Sequence, residues 1–213
     1  TGYGIRYDYG IFTQSIDTDG SQRESASTWL RLHNVWETPR SDARFIVRFG
    51  GRVLTTHDVG GAQRSRWVET QDVLAVGFAQ LVPGNRSPTV NHLRLWSARA
   101  LHPFHIEDFN AGNYSAAVED QVDAKNLSRV LYPDDSTPQG KELRFKQQYF
   151  FVSASIQDIL AQHLAEERTL EELPSALAVQ MNDTHPTLAI PELMRLLIDQ
   201  YDMPWPQAWD ICK

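Results

Sequence analysis

"ALAVQMNDTHPTLAIPELMRLLID" spans residues 176–199, and its reading decides the fold class. "ALAVQM" is a short apolar run with few polar interruptions, the pattern of a strand covered on both faces. "PELMRLLID" follows with apolar residues at helical spacing. A strand that leads into a helix is one α/β unit. Between the two stand Asn182, Asp183 and His185. In open α/β sheets ligands collect beyond the carboxyl ends of the strands, because loops are exposed there and helix N-termini turn N–H groups inward. Asp183 and His185 are therefore candidate ligand-binding residues. Pro186 lacks an N–H and biases His185 toward extended backbone, which holds the imidazole. A purely structural alternative stays open: Asp183 or Thr184 caps the following helix and His185 fills a polar gap.

Upstream, "TPQGKELRFKQQYFFVSASIQDILAQHLAEE" (137–167) predicts a long, partly buried helix, since Leu143, Tyr149, Phe150, Val152, Ile156, Ile159, Leu160 and Leu164 recur at helical spacing. Thr137 is a fitting N-cap and Pro138 a fitting first helical residue. The polar loop that enters this helix, "YPDDSTPQGKELR" (132–144), is the second candidate constellation. Asp134 and Asp135 form one possible carboxylate pair. Alternatively Asp135 opposes Asp183 across a cleft, at the spacing of about 5–5.5 Å used by retaining glycosidases. Against both stands a solvated helix entry favoured by the helix dipole. Arg144 can grip an anion bidentately or serve as an exposed helix arginine.

Further back, "IEDFNAGNYSAAVEDQVDAKNLSRVL" (106–131) carries helix formers with a thin apolar stripe, which predicts a helix that projects outward or packs on another chain. The first half reads as β. In "RFIVRFGGRV" (44–53), Phe45, Val47 and Phe49 fall on one side of an extended chain, and Gly50-Gly51 allows a bend. "RWVETQDVLAVGF" (66–78) and "VNHLRLWSA" (90–98) repeat the pattern around the turn-forming "VPGNRSP", so a meander is expected. The expected organisation is thus a β-rich part over 1–101 and a helical and α/β part over 102–213.

Composition narrows the function. With 213 residues, 41% of them apolar, the chain can bury a sizeable core. A net charge of -7, with 20 scattered basic residues, disfavours nucleic acid and anionic membrane as partners. The single cysteine, Cys212, builds neither a disulfide framework nor a thiolate metal site, which points to a reducing, cytoplasmic setting. No apolar stretch approaches the roughly 18 residues of a membrane span. The seven histidines lack metal-ligand spacing, so no metal is expected. "GYGIRYDYG" (2–10) has glycines but not the phosphate loop of a nucleotide-binding unit, and its tyrosines are expected to pack on the sheet. A chain that opens on Thr1 inside this motif and closes in a helical pattern reads as a piece of something larger.

"GYGIRYDYGIF", "WVETQDVLAV", "VPGNR", "LRLWSARA", "SRVLYPDDS", "GKELRFKQQYF" and "MNDTHPTLAIPELMRLLID" together resemble, in order, successive blocks of the glycogen and α-glucan phosphorylase family, in its bacterial branch. The resemblance implies part of the N-terminal Rossmann-like domain of a two-domain, GT-B type, retaining glycosyltransferase. The implied reaction is phosphorolysis of terminal α-1,4-linked glucose by inorganic phosphate to α-glucose 1-phosphate, assisted by pyridoxal phosphate. The cofactor lysine belongs to the second domain, and none of Lys125, Lys141, Lys146 and Lys213 sits in an apolar setting. By resemblance, Asp135 and Ser136 lie on the mobile gate beside the active site. Many members carry Asn where Ser136 stands, and the shorter side chain is expected to reach less far. Arg144, Asp183 and His185 match residues that line the glucose pocket, with Asn182 fixing the turn. The segment near 110–122 resembles a helix that packs against a twin subunit, which implies a homodimer. Ala161 and Gln162 replace the arginine pair that binds the AMP phosphate in animal members, which argues against nucleotide activation. Two other classes compete: a glycoside hydrolase using Asp135 and Asp183, and a non-catalytic α-glucan-binding or dimerisation module. Taken alone, the chain is expected to be inactive.

Overall fold

The computed structural model describes all residues except 11, 28, 30–33 and 58–62. Among the described residues the chain is a mixed α/β structure. Strands β1 (Gly2–Ile5), β2 (Phe12–Ile16), β3 (Gln22–Ala26), β4 (Glu37–Phe49), β5 (Arg52–His57), β6 (Gln63–Val68), β7 (Gln71–Pro83) and β8 (Val90–Ala100) come first. Helices α1 (Ile106–Asn110), α2 (Glu119–Asn126), α3 (Pro138–Ala165), α4 (Leu173–Ala176), α5 (Ala189–Asp199) and α6 (Trp205–Cys212) follow. The chain forms two compact units, residues 1–44 with 74–147 and residues 45–73 with 148–213, and β4, β7 and α3 supply residues to both.

Four strands form one sheet in the order β1-β8-β7-β4. Alternation makes them: Val47 and Phe49 are buried while Ile46 between Phe45 and Val47 is exposed, and Val73, Ala75 and Ala79 repeat the period on β7. β1 runs parallel to β8, with Gly2 opposite Leu93 and Ile5 opposite Trp96. The expected meander is interrupted. Gly50 and Gly51 both take positive φ, and the chain leaves β4 for a separate antiparallel hairpin, β5-β6, before β7 joins β4. The stretch 66–78, which reads as one strand, is two, because Glu69 at φ 57 turns the corner between β6 and β7. A second hairpin, β2-β3, is exposed along its whole length.

The segment 106–131 is not one helix. Gly112, at φ 83, closes α1 with a Schellman pair: its N–H donates to the Phe109 carbonyl (3.0 Å) and that of Asn113 to the Asp108 carbonyl (2.9 Å). The chain restarts in a 3-10 turn (Ala116–Val118) and α2, which packs on β8 and buries Ala117, Ala124 and Leu127. Phe104, Phe109 and Tyr114 stay exposed in mutual ring contact, with centroids 5.3 and 4.9 Å apart.

In the second unit α3 is the spine. Val152, Ile156 and Leu160 pack with Leu173 and Leu196, and a neighbouring cluster joins Met194, Leu197, Met203 and Ala208. The expected strand at "ALAVQM" does not form. Leu177 keeps extended dihedrals (φ -131, ψ 136), but no described strand pairs with residues 177–182, and Val179 and Met181 are exposed. Local preference is satisfied there, whereas a strand exists only through ladder bonds to a neighbour, and a doubly covered one needs layers on both faces.

Candidate functional site

The first constellation is built from the N-terminus. Beyond β1 the Arg6 N–H extends the ladder to the Trp96 carbonyl (2.8 Å), and the Arg6 side chain bonds Glu37 (2.8 Å) beneath the ring of Phe78. The Asp8 and Tyr9 N–H groups then donate to the carbonyls of Ser128 (3.0 Å) and Arg129 (2.8 Å), and Leu131 donates back to Tyr9 (3.1 Å). An ion pair from Asp8 to Lys125 (3.0 Å) and a bond from the Gln147 amide to the Val130 carbonyl (3.0 Å) secure the same strip. The segment read as a set of packing tyrosines is thus the anchor of the loop at 132–137.

Within that loop Tyr132 takes a left-handed conformation, φ 51. The Asp134 carboxylate accepts the Ser136 N–H (3.0 Å) and its hydroxyl (2.6 Å), and these bonds hold its acid below the usual carboxylate range. Thr137 caps α3 as expected, accepting the Gly140 N–H at 3.1 Å. Gly140 serves a second purpose: a Cβ there would run into the Asp134 carbonyl, so only glycine lets the loop lie against the first turn of α3. Asp135 is ion-paired with Arg144, whose guanidinium lies 5.6 Å from the Tyr132 ring centre. Burial pushes the Tyr7 hydroxyl up to about 12, Tyr132 adds to the rise and Arg144 opposes it. Asp135, Arg144, Tyr132 and Tyr7 are therefore one cluster, while Ser136 turns its hydroxyl onto Asp134. The helix-entry reading fits Asp134 and Ser136; Asp135 is exposed at the same entry and is in addition ion-paired with Arg144.

The second constellation lies in the other unit. Asp183 is exposed and left-handed, φ 65, and its carboxylate accepts the Thr184 N–H at 2.5 Å. That backbone bond first, with the Thr184 side chain and the nearby His185, keeps its acid low. Half-buried His185 opens a 3-10 turn (His185–Leu188), tightened by the Thr187 hydroxyl on the Thr184 carbonyl (2.6 Å), and α5 follows directly. Neither Asp183 nor Thr184 supplies a side-chain cap to this turn or to α5, so the capping alternative is not realised.

On α5, which follows this turn, stands a network that the sequence reading missed. Glu192, 2% exposed on α5, accepts bonds from the Tyr149 hydroxyl (2.9 Å), the Ser153 hydroxyl (2.6 Å) and both Nε and Nη2 of Arg195 (2.8 Å each). Burial opposes the Arg195 charge, but Glu192 outweighs it and holds the guanidinium above its ordinary value. Burial, with Glu192, pushes the Tyr149 hydroxyl up. The available signal was a glutamate on the apolar stripe of an amphipathic helix, three residues before an arginine.

Among the described residues no group of three or more His, Cys, Asp or Glu is arranged to hold a metal ion, and no helix is long and apolar enough to cross a membrane.

The profile of the carbohydrate phosphorylase family matches residues 1–213, and the chain belongs to that family. Among its relatives, the glycogen phosphorylase of Chlamydia pneumoniae is 48% identical over 210 residues, covering 99% of this chain and 25% of the relative. That of Haemophilus influenzae is 47% identical over 212 residues, covering 100% and 25%, and the liver form of Ovis aries is 48% identical over 220 residues, covering 100% and 25%. The chain thus spans about a quarter of the length of the curated relatives it matches.

Proposed function

We propose that the chain is part of the N-terminal Rossmann-like domain of a GT-B type glycogen or α-glucan phosphorylase. The whole protein would release terminal α-1,4-linked glucose from glycogen, starch or maltodextrin to inorganic phosphate, with retention, as α-glucose 1-phosphate. The observation that carries this reading is the match to glycogen phosphorylases over essentially every residue of the chain. In this reading Asp183 and His185 hydrogen-bond the glucosyl unit, and Asp135, Ser136 and Arg144 belong to the gate loop. The geometry supports a binding role in two ways. Asp183 is exposed and caps no helix, and Arg144 is held by Asp135 beside an aromatic ring instead of reaching freely into solvent.

The proposed enzyme is cytoplasmic, homodimeric through the region of the exposed Phe104, Phe109 and Tyr114 rings, and dependent on pyridoxal phosphate. The four lysines present do not fit a Schiff-base anchor, which calls for a desolvated amine. Lys125 is paired with Asp8, Lys146 with Glu142 and Lys213 with Asp210, and Lys141 is exposed. The chain by itself is accordingly inactive in this reading.

The test is to incubate the whole protein with glycogen and maltodextrin, with and without inorganic phosphate. Phosphate-dependent glucose 1-phosphate is the expected product. Free glucose without phosphate would assign hydrolysis instead, and glucan binding with neither product would assign a non-catalytic module.

A further inference from the structure

Asp183 and His185 hang on the N-terminal approach to α5, so whatever fixes α5 fixes them. The apolar contacts between α3 and α5, Val152, Ile156 and Leu160 against Leu193 and Leu196, with Leu188 of the preceding 3-10 turn packed on the same cluster, hold the helices together. Such contacts are non-directional and discriminate weakly against a small slide or roll of one helix on the other. The Glu192 carboxylate is directional. Tyr149 and Ser153 stand one turn apart on the same face of α3, and their hydroxyls meet different oxygens of that one carboxylate, Oε2 and Oε1. Arg195 grips both oxygens from the side, and its guanidinium lies 5.4 Å from the Trp67 ring centre. The Tyr149 ring meets Phe49 edge-on at 5.7 Å, so its hydroxyl is itself held in place. A buried carboxylate is tolerated only when opposite charge and hydrogen bonds surround it in this way, and its geometry leaves one axial and one rotational setting for α5.

We propose that Glu192 is a positioning residue: through Tyr149 and Ser153 it sets the place of α5 and so aims the left-handed turn at Asp183 and the 3-10 turn that presents His185. The proposal rests on the reading of those two residues as sugar contacts.

The test uses the whole protein that carries this chain, with α-glucose 1-phosphate and a panel of its singly deoxygenated analogues as donors. His185→Ala identifies the analogue whose discrimination depends on that imidazole. Glu192→Gln is expected to lower the kcat/KM preference for the parent donor over that analogue by about tenfold, less than the roughly hundredfold that a full 1 Å misplacement of a positioned group can cost. Added to His185→Ala it should lower the preference little further, because the effect runs through His185. Tyr149→Phe removes one donor, keeps the ring, and should shift the preference in the same direction by less; it decides the matter if Glu192→Gln does not fold. A merely structural role would slow all donors alike and leave the preference unchanged, and that result, or full additivity in the double variant, overturns the proposal. If His185→Ala and Asp183→Asn themselves leave every preference unchanged, the sugar-contact reading fails and the positioning role fails with it.

Discussion

The two candidate regions are held by opposite means. The loop at 132–137 is shaped by hydrogen bonds along its own backbone and by an N-terminal strip laid beside its approach, and its ion pair is partly in water: the Asp135 side chain is 52% exposed. The turn at 183–188, with Asp183 exposed and His185 half-buried, runs into α5, which carries a buried, fully paired carboxylate whose side chain is 1% exposed. The contrast teaches that a charge near solvent can be moved at small cost, whereas a charge that has lost its water binds its neighbours to one geometry. In the proposed reading, a gate loop that must move suits the first kind of support and a fixed sugar-binding turn the second.

The comparison breaks most sharply at Glu192. Glu192→Ala leaves Arg195 and two hydroxyls without their common partner and is expected to cost about 3–5 kcal/mol, read as a lower urea midpoint with unchanged slope. Next comes Tyr7. Its hydroxyl titrates at about 12 in the fold against 10.0 in an unperturbed chain. The folded state therefore keeps a proton that the unfolded state gives up. Stability is full below about pH 10 and falls as pH rises toward about 12, by at most about 2 kcal/mol given the partial exposure of the ring. Tyr7→Phe should flatten this alkaline decline in unfolding midpoints measured across that window.

Gly140→Ala would ordinarily favour a helix by a few tenths of a kcal/mol or more. Here the new Cβ meets the Asp134 carbonyl, and a net loss of about 1–2 kcal/mol is expected, with faster amide exchange at residues 134–137 as the local sign of a displaced loop. Asp135→Asn, at the exposed end of the scale, should move the unfolding midpoint by less than about 1 kcal/mol. A loss there as large as that of Glu192→Ala would erase the contrast.

Which parts were legible from sequence follows the same division between local and partner-dependent causes. Alternation at Phe45, Val47 and Phe49, the Thr137 cap with Pro138, and the apolar stripe of α5 depend on neighbours in the chain, and the structure contains all three. The missing strand at 177–182 depended on a ladder partner that no window of sequence contains. The break at Gly112 was hidden among good helix formers, although a left-handed glycine decided it. The β5-β6 hairpin between β4 and β7 was invisible because alternation specifies a face and not a neighbour. At the sites, Asp135, Asp183 and His185 stood out as polar residues at helix approaches, and Arg144 as a cation in the first turns of α3. Tyr7 and Glu192 matter through groups distant in the chain, and single-residue chemistry does not reveal such dependence.

The central claim is that the exposed carboxylate of Asp183 is there for a sugar and not for the fold. Its most direct test is the kcat/KM of the whole protein for α-glucose 1-phosphate with Asp183→Asn. Loss of a hydrogen bond to a charged group predicts a fall of at least about tenfold, with the unfolding midpoint changed by less than about 0.5 kcal/mol. An unchanged kcat/KM, or a fall matched by an equivalent loss of stability, would contradict the account.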